Sequence, residues 1–93
     1  MGDLENAEKF LRKAIKESPD DIGYWLELGD VLEKANKLKA AENAYRKASK
    51  LDPDNPDIWY KLAALFEKRG LEKQAKKALR KAKTLASRTL DYE

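Results

Sequence analysis

The chain has 93 residues, 42% of them apolar and 40% charged, and it contains neither cysteine nor histidine. This length allows one domain at most, and the missing residue types exclude disulfides, thiolate chemistry, most zinc sites and the commonest proton shuttle at neutral pH. The net charge of +3 is unevenly distributed, because residues 68–88 hold nine lysines and arginines against one acidic residue, Glu72.

The spacing of apolar residues predicts helices along most of the chain. Trp25, Leu28 and Leu32, for example, follow the i, i+3, i+7 spacing that places side chains on one helical face. In chain order, the five predicted helices cover residues 3–17, 21–34, 37–51, 56–68 and 71–89.

The residues between these segments are typical of helix ends. Asn36 and Gly70 follow the second and fourth helices, where a residue in the left-handed conformation commonly ends a helix. Pro53 stops the third helix, and Asn55 is placed to cap the fourth. The Ser-Pro-Asp-Asp segment at 18–21 is predicted to separate and cap the first two helices in the same way.

The sequence repeats with a period of 34 residues. The aligned sets are Ala7, Ala41 and Ala75; Leu11, Tyr45 and Leu79; Pro19 and Pro53; Trp25 and Trp59; Leu28 and Leu62; and the Arg-Lys-Ala triplets beginning at Arg12, Arg46 and Arg80. A fixed period of this length indicates stacked helical hairpins, each of which buries its apolar face against the next.

Two consecutive segments of the chain carry a known motif. The motif residues of the first are Trp25, Leu28, Gly29, Leu32, Ala41, Tyr45 and Pro53. Those of the second are Trp59, Leu62, Ala63, Phe66, Ala75 and Leu79. Their spacing resembles the tetratricopeptide repeat. The resemblance implies an all-α fold of about five helices, a right-handed superhelical stack of antiparallel helix pairs (an α-solenoid).

The resemblance also implies how the chain is divided. We expect a single domain over residues 1–93, with the second half of a repeat at 1–21, full repeats at 22–55 and 56–87, and a C-terminal extension at 88–93. The small residues of the motif, Gly29 with Ala41 in the first repeat, are expected to let the two helices of a hairpin approach closely.

A protein-interaction surface follows from the resemblance, because the first helix of each repeat in this family lines a concave groove. The groove positions that it implies are Leu26, Glu27, Asp30, Glu33, Asp57, Tyr60, Lys61, Ala64, Glu67 and Lys68. We expect a peptide or partner segment to bind there, with apolar anchors and basic flanks. A designed or excised scaffold with no native ligand is the special case of this interpretation.

The last predicted helix is strongly basic. Its exposed positions are Lys73, Lys76, Lys77, Arg80 and Lys81. They are either a solvated face or a contact for nucleic acid or another polyanion. No aromatic residue lies between Phe66 and Tyr92 to stack on bases, so we do not expect nucleic acid as the main partner.

The sequence holds no catalytic constellation. The acidic pairs at 20–21 and at 52 and 54 are interpreted as helix caps, and Trp25 and Trp59 as packing residues. We therefore expect no enzyme activity, no metal and no cofactor. No apolar run approaches the roughly 18–20 residues that span a bilayer, and the N-terminus does not resemble a signal peptide, so we expect a cytoplasmic protein.

The first predicted helix lacks the helix that would precede it in a complete repeat. We expect its apolar stripe to be uncovered within the chain and to drive concentration-dependent self-association, most simply as a dimer. The stripe consists of Leu4, Ala7, Phe10 and Leu11.

Overall fold

The computed structural model describes residues 2–90. Within this range the regular elements are the five helices α1 (Gly2–Glu17), α2 (Ile22–Lys34), α3 (Leu38–Leu51), α4 (Pro56–Lys68) and α5 (Glu72–Leu90). The predicted all-α fold and its five helices are confirmed. The last three residues of the expected C-terminal extension, 91–93, lie outside the described residues.

The helix ends follow the local signals of the sequence. Asp21 Oδ1 accepts a hydrogen bond from the backbone N–H of Gly23 at 3.0 Å, and Asn55 Oδ1 accepts one from the N–H of Asp57 at 2.9 Å. Because Asp21 is the N-cap, α2 begins one residue later than predicted. Asn36 and Gly70 both have positive φ, at 63° and 74°, as their positions predicted.

Each helix packs mainly against its neighbours in the chain, α1 on α2, α2 on α3, α3 on α4 and α4 on α5. The resulting stack is flat and elongated, with extents of 43 × 30 × 17 Å. None of the described helices has an apolar stretch long enough to cross a lipid bilayer.

The core runs between the helices as one continuous cluster. Its largest fully buried side chains are Tyr45, Leu28, Leu32, Ile58, Leu62 and Leu65. Ala41 and Ala48 are also completely buried. Trp25 and Trp59 are half-buried and pack against this cluster, which confirms their interpretation as packing residues.

Gly29 is a point of close approach between α2 and α3, as the motif suggested. A Cβ atom at Gly29 would lie 2.4 Å from Cε1 of Tyr45, and the next two nearest atoms also belong to that ring. The space that Gly29 leaves is filled by an aromatic ring.

The prediction that the apolar stripe on α1 is uncovered is wrong for Leu11. Leu11 is only 3% exposed, because α2 packs against that side of α1 and encloses it. Phe10, its neighbour in sequence, points away from this contact and is 67% exposed. Leu4 and Ala7 are half-buried.

Candidate binding groove and basic helix

A depression between α2 and α4 brings together half of the predicted groove residues. It has a volume of about 420 Å³ and is lined by Asp30, Glu33, Lys34, Tyr45, Lys61, Ala64 and Lys68. The side chains from α2 and α4 face each other across it because both are first helices of consecutive hairpins. Tyr45 reaches the floor from α3.

Four of the five charged side chains that line this depression are paired. Lys61 Nζ lies 3.0 Å from Asp30 Oδ1, and Lys68 Nζ lies 2.8 Å from Glu33 Oε2. Each pair joins α2 to α4, so these residues link consecutive repeats. The two pairs cancel in charge, and Lys34, which forms no ion pair within residues 2–90, leaves the lining with a formal net charge of +1.

Tyr45 connects the two carboxylates on the floor. Its hydroxyl donates to Asp30 Oδ1 at 2.5 Å and lies 3.2 Å from Glu33 Oε1. Burial and the two nearby carboxylates raise the pKa of Tyr45, so the hydroxyl stays protonated and available as a donor. The sequence pattern did not predict this role of Tyr45. The available signal was a tyrosine at a position where the other two periods have leucine, Leu11 and Leu79.

The other predicted groove residues do not line the depression. Leu26 is half-buried, and Tyr60 is 40% exposed. Glu27, Asp57 and Glu67 are exposed, and among the residues that the structure describes none of their carboxylates has an ion-pair partner. On α2 and α4, these three carboxylates are therefore free, whereas those of Asp30 and Glu33 are already paired.

Two clefts involving the tryptophans were not predicted. One is lined by Arg12, Trp25, Leu28, Leu32, Ala40, Asn43, Ala44 and Lys47. The other is lined by Arg46, Trp59, Phe66, Gln74, Lys77, Ala78 and Lys81. Most of these residues correspond at an offset of 34, so the clefts are one feature built twice.

In each cleft, a lysine from the second helix of the hairpin contacts the tryptophan ring. Lys47 Nζ lies 6.0 Å from the ring centroid of Trp25, and Lys81 Nζ lies 5.7 Å from that of Trp59. The indole N–H of Trp25 donates to the carbonyl of Pro19 at 2.7 Å, whereas that of Trp59 is buried without a partner in the described part of the chain. Each tryptophan ring therefore also has the ammonium group of an exposed lysine above it.

The predicted basic face of α5 divides between two surfaces. Lys77 and Lys81 line the Trp59 cleft, whereas Lys76 and Arg80 line a shallow cleft with Leu79, Lys83 and Thr84. Lys73 lines neither cleft. Each of the predicted basic residues is exposed, and within residues 2–90 none of them forms an ion pair.

Five helices that pack in chain order, with a sequence period of 34 residues, define a helical-repeat solenoid. Family models described as tetratricopeptide repeat match residues 1–46 and 56–89, and one described as TPR repeat matches residues 34–70. The chain belongs to the tetratricopeptide repeat family, as its motif residues predicted.

Solved structures superimpose closely on this fold. A crystal structure of MamA does so with a TM-score of 0.93 at 22% identity, covering 97% of this chain and 53% of that one. SycD, a type III secretion translocator chaperone of Yersinia enterocolitica, gives 0.86 at 21% identity over 92% of this chain and 65% of its own. PcrH in complex with the chaperone binding region of PopD gives 0.85 at 21% identity, with the same coverages.

These identities show a shared fold alone. The chain spans about half the length of the MamA chain and just under two thirds of the other two. No curated protein matches the sequence.

Proposed function

We propose that this chain is a non-catalytic protein-interaction scaffold that binds a peptide or partner segment in the groove between α2 and α4. The observation that carries the proposal is the charge arrangement of the groove. Its floor carboxylates, Asp30 and Glu33, are already bound to lysines, while the carboxylates of Glu27, Asp57 and Glu67 are unpaired.

This arrangement favours a peptide with apolar anchors and basic flanks. Leu26 and Tyr60 supply exposed or half-exposed apolar surface, and Ala64 leaves space between the helices. Cations flanking the anchors would meet the free carboxylates without breaking an existing ion pair. Interfaces of this kind combine a buried apolar centre with a polar rim.

Two labelled peptides of equal length test the proposal by fluorescence anisotropy. Both carry the same leucine and phenylalanine anchors, and one has lysine flanks where the other has glutamate. We expect the lysine-flanked peptide to bind more tightly. We also expect Glu27→Lys combined with Glu67→Lys to weaken its binding by about five- to tenfold, since each exposed pair contributes about 0.2–1 kcal/mol.

The matched control places the same charge changes outside the groove. Glu5→Lys with Glu17→Lys alters two exposed acidic residues of α1 and is expected to leave peptide affinity within about twofold of the original. Equal affinity for both peptides, as a scaffold with no native ligand would show, contradicts the proposal. So does an unchanged affinity in the groove variant.

Self-association is a second candidate, favoured by the exposed ring of Phe10. A side chain of this size gains about 1.5–3 kcal/mol on burial, and Leu4 and Ala7 extend the apolar surface beside it. Leu11 is no longer part of this surface. We expect light scattering to show a dimer at high concentration and Phe10→Lys to abolish it while leaving the helical circular dichroism unchanged. A monomer at every concentration would exclude self-association.

We further propose that residues 1–93 form one domain of about two and a half repeats and act in the cytoplasm. Fractionation of cells producing the tagged chain tests the location. Recovery in the membrane fraction after a high-salt wash would contradict it.

A further inference from the structure

The second helix of each hairpin presents the same stripe of residues to the helix that follows it. In α1 and α3 the centre of this stripe is Leu11 and Tyr45, which are 3% and 1% exposed. The corresponding residue of α5 is Leu79, which is only half-buried. It lies in a shallow cleft of about 290 Å³ with Lys76, Arg80, Lys83 and Thr84. The covered stripe of the earlier hairpins is thus repeated on α5 without a covering helix in the described chain.

In each of the first two stripes, a carboxylate forms an ion pair with a cation that follows the next helix. Glu8 in α1 lies 3.0 Å from Lys37, which follows α2. Glu42 in α3, which is 4% exposed, bonds to Arg69 at the C-cap of α4. Glu8 and Glu42 correspond at an offset of 34, and each meets a cation that follows the last residue of the next helix. The two cations do not correspond, since Lys37 is the N-cap of α3 whereas Arg69 is the C-cap of α4.

On α5 a cation stands at the position where the first two stripes have a carboxylate. The residue that corresponds to Glu8 and Glu42 is Lys76. Arg12 and Arg46 each bond to the carboxylate four residues earlier, at 3.0 and 2.7 Å. Arg80 has a lysine at that place, and within residues 2–90 it has no acidic partner. A helix with a basic C-terminal end, like those of α2 and α4, would therefore be repelled from this stripe.

We propose that the stripe on α5 docks an acidic amphipathic helix of a partner protein. The partner helix lies antiparallel to α5, with its apolar face on Leu79 and its C-terminal carboxylates against Lys76. The negative end of its helix dipole also falls there, next to a cation, which adds to the attraction. Glutamates along its flanks meet Arg80 and Lys83.

Charge and shape favour such a helix over two other occupants. A second copy of this chain would offer its exposed Phe10, but Lys9 and Lys13 flank that ring and would face the cations of α5. A nucleic acid would match the charge but offers no apolar group to cover Leu79. Like charges at an interface and an uncovered apolar centre both lower affinity.

The probe is a labelled synthetic peptide of about 16 residues, since shorter isolated helices are marginal in water. It carries leucines at helical spacing, glutamates on its flanks and two glutamates in its last turn. Binding is measured by fluorescence anisotropy at two salt concentrations. A lysine version of the same peptide and a single-stranded oligonucleotide of equal net charge serve as competing probes.

Variants of α5 separate docking from general attraction of anions. We expect Lys76→Glu to weaken binding of the glutamate peptide about tenfold, and Leu79→Ser to weaken it by a similar factor. Lys77→Glu makes the same charge change one residue along, outside the stripe, and is expected to stay within about threefold. A peptide with lysines in its last turn should recover affinity for Lys76→Glu. Circular dichroism confirms that each variant remains helical.

Three results would overturn the inference. The first is no binding of the glutamate peptide at low salt. The second is equal loss with Lys76→Glu and Lys77→Glu and no loss with Leu79→Ser, which would show an unspecific polyanion surface. The third is tighter binding of the oligonucleotide than of the peptide. The groove variants Glu27→Lys and Glu67→Lys are expected to leave this binding intact, so the two proposals fail independently.

Discussion

Replacing Gly29 by alanine tests how tightly α2 is seated on the ring of Tyr45. An alanine Cβ would stand 2.4 Å from Cε1 and 2.8 Å from Cζ of that ring. Carbon atoms pack favourably at about 3.5–4.0 Å, so the ring or the helix would have to retreat by about 1 Å. The ring has little room to turn away, because Tyr45 is 1% exposed and its hydroxyl is bonded to Asp30.

Two opposing effects set the size of the change. Overpacking in a filled core costs about 1–3 kcal/mol. Alanine in place of glycine inside a helix stabilises the helix by about 1 kcal/mol, because its helix propensity is higher. We therefore expect Gly29→Ala to lower the free energy of unfolding by about 1 kcal/mol. In a domain of this size that lowers the melting temperature by about 4–8 °C. Urea unfolding followed by circular dichroism measures the change in the free energy of unfolding.

The second repeat supplies a control for this interpretation. The residues that correspond to Gly29 and Tyr45 are Ala63 and Leu79, so the chain itself combines an alanine with a smaller partner. We expect Gly29→Ala with Tyr45→Leu to be more stable than the sum of the single changes by about 1 kcal/mol. Additive effects, or a Gly29→Ala variant that unfolds at an equal or higher urea concentration, would refute the packing argument.

Three further predictions concern a turn, a carboxylate and the core. Asn36 has a φ of 63°, so Asn36→Ala is expected to destabilise by about 1 kcal/mol while Asn36→Gly does not; equal urea midpoints for both would contradict this. Burial raises the pKa of Glu42, but the hydrogen bond from Arg46 and the nearby cations lower it more, so the pKa lies below the ordinary value of a glutamate. The stabilisation from Glu42 is therefore present above that ordinary pKa and is lost as the pH falls through the lower folded-state pKa. Glu42→Gln should therefore lose less stability than the original chain between neutral pH and about pH 3, and parallel losses would refute this. Ala41 is completely buried, so Ala41→Leu is expected to cost about 1–3 kcal/mol, and an unchanged thermal melt would remove it from the core.

Local signals predicted the fold well. The left-handed residues Asn36 and Gly70 and the capping residues Asp21 and Asn55 act within a few positions of themselves, so their roles follow from short stretches of sequence. The 34-residue period then placed the helices in pairs.

The features that the sequence did not predict depend on which helices pack against each other. Leu11 was expected to be exposed because no helix precedes α1, but α2 covers it from the other side. The bonds from Tyr45 to Asp30 and Glu33 join residues 15 and 12 positions apart on different helices. The basic residues of α5 were treated as one face, although Lys76 and Lys77 point into different clefts. A periodic pattern indicates which residues share one face of a helix. Only the packed structure shows which element that face contacts.

The same ion pairs that join the repeats also limit what the groove can bind. Asp30 and Glu33 each have a lysine from α4 within 3.0 Å, so a ligand cation would have to displace Lys61 or Lys68 to reach them. Displacement exchanges one ion pair for another and gains little, because a partly exposed pair contributes about 0–1 kcal/mol. If the groove binds basic ligands as proposed above, selectivity for them therefore has to come from free carboxylates such as Glu27. In that proposal the paired carboxylates join the repeats and the unpaired carboxylates select the ligand.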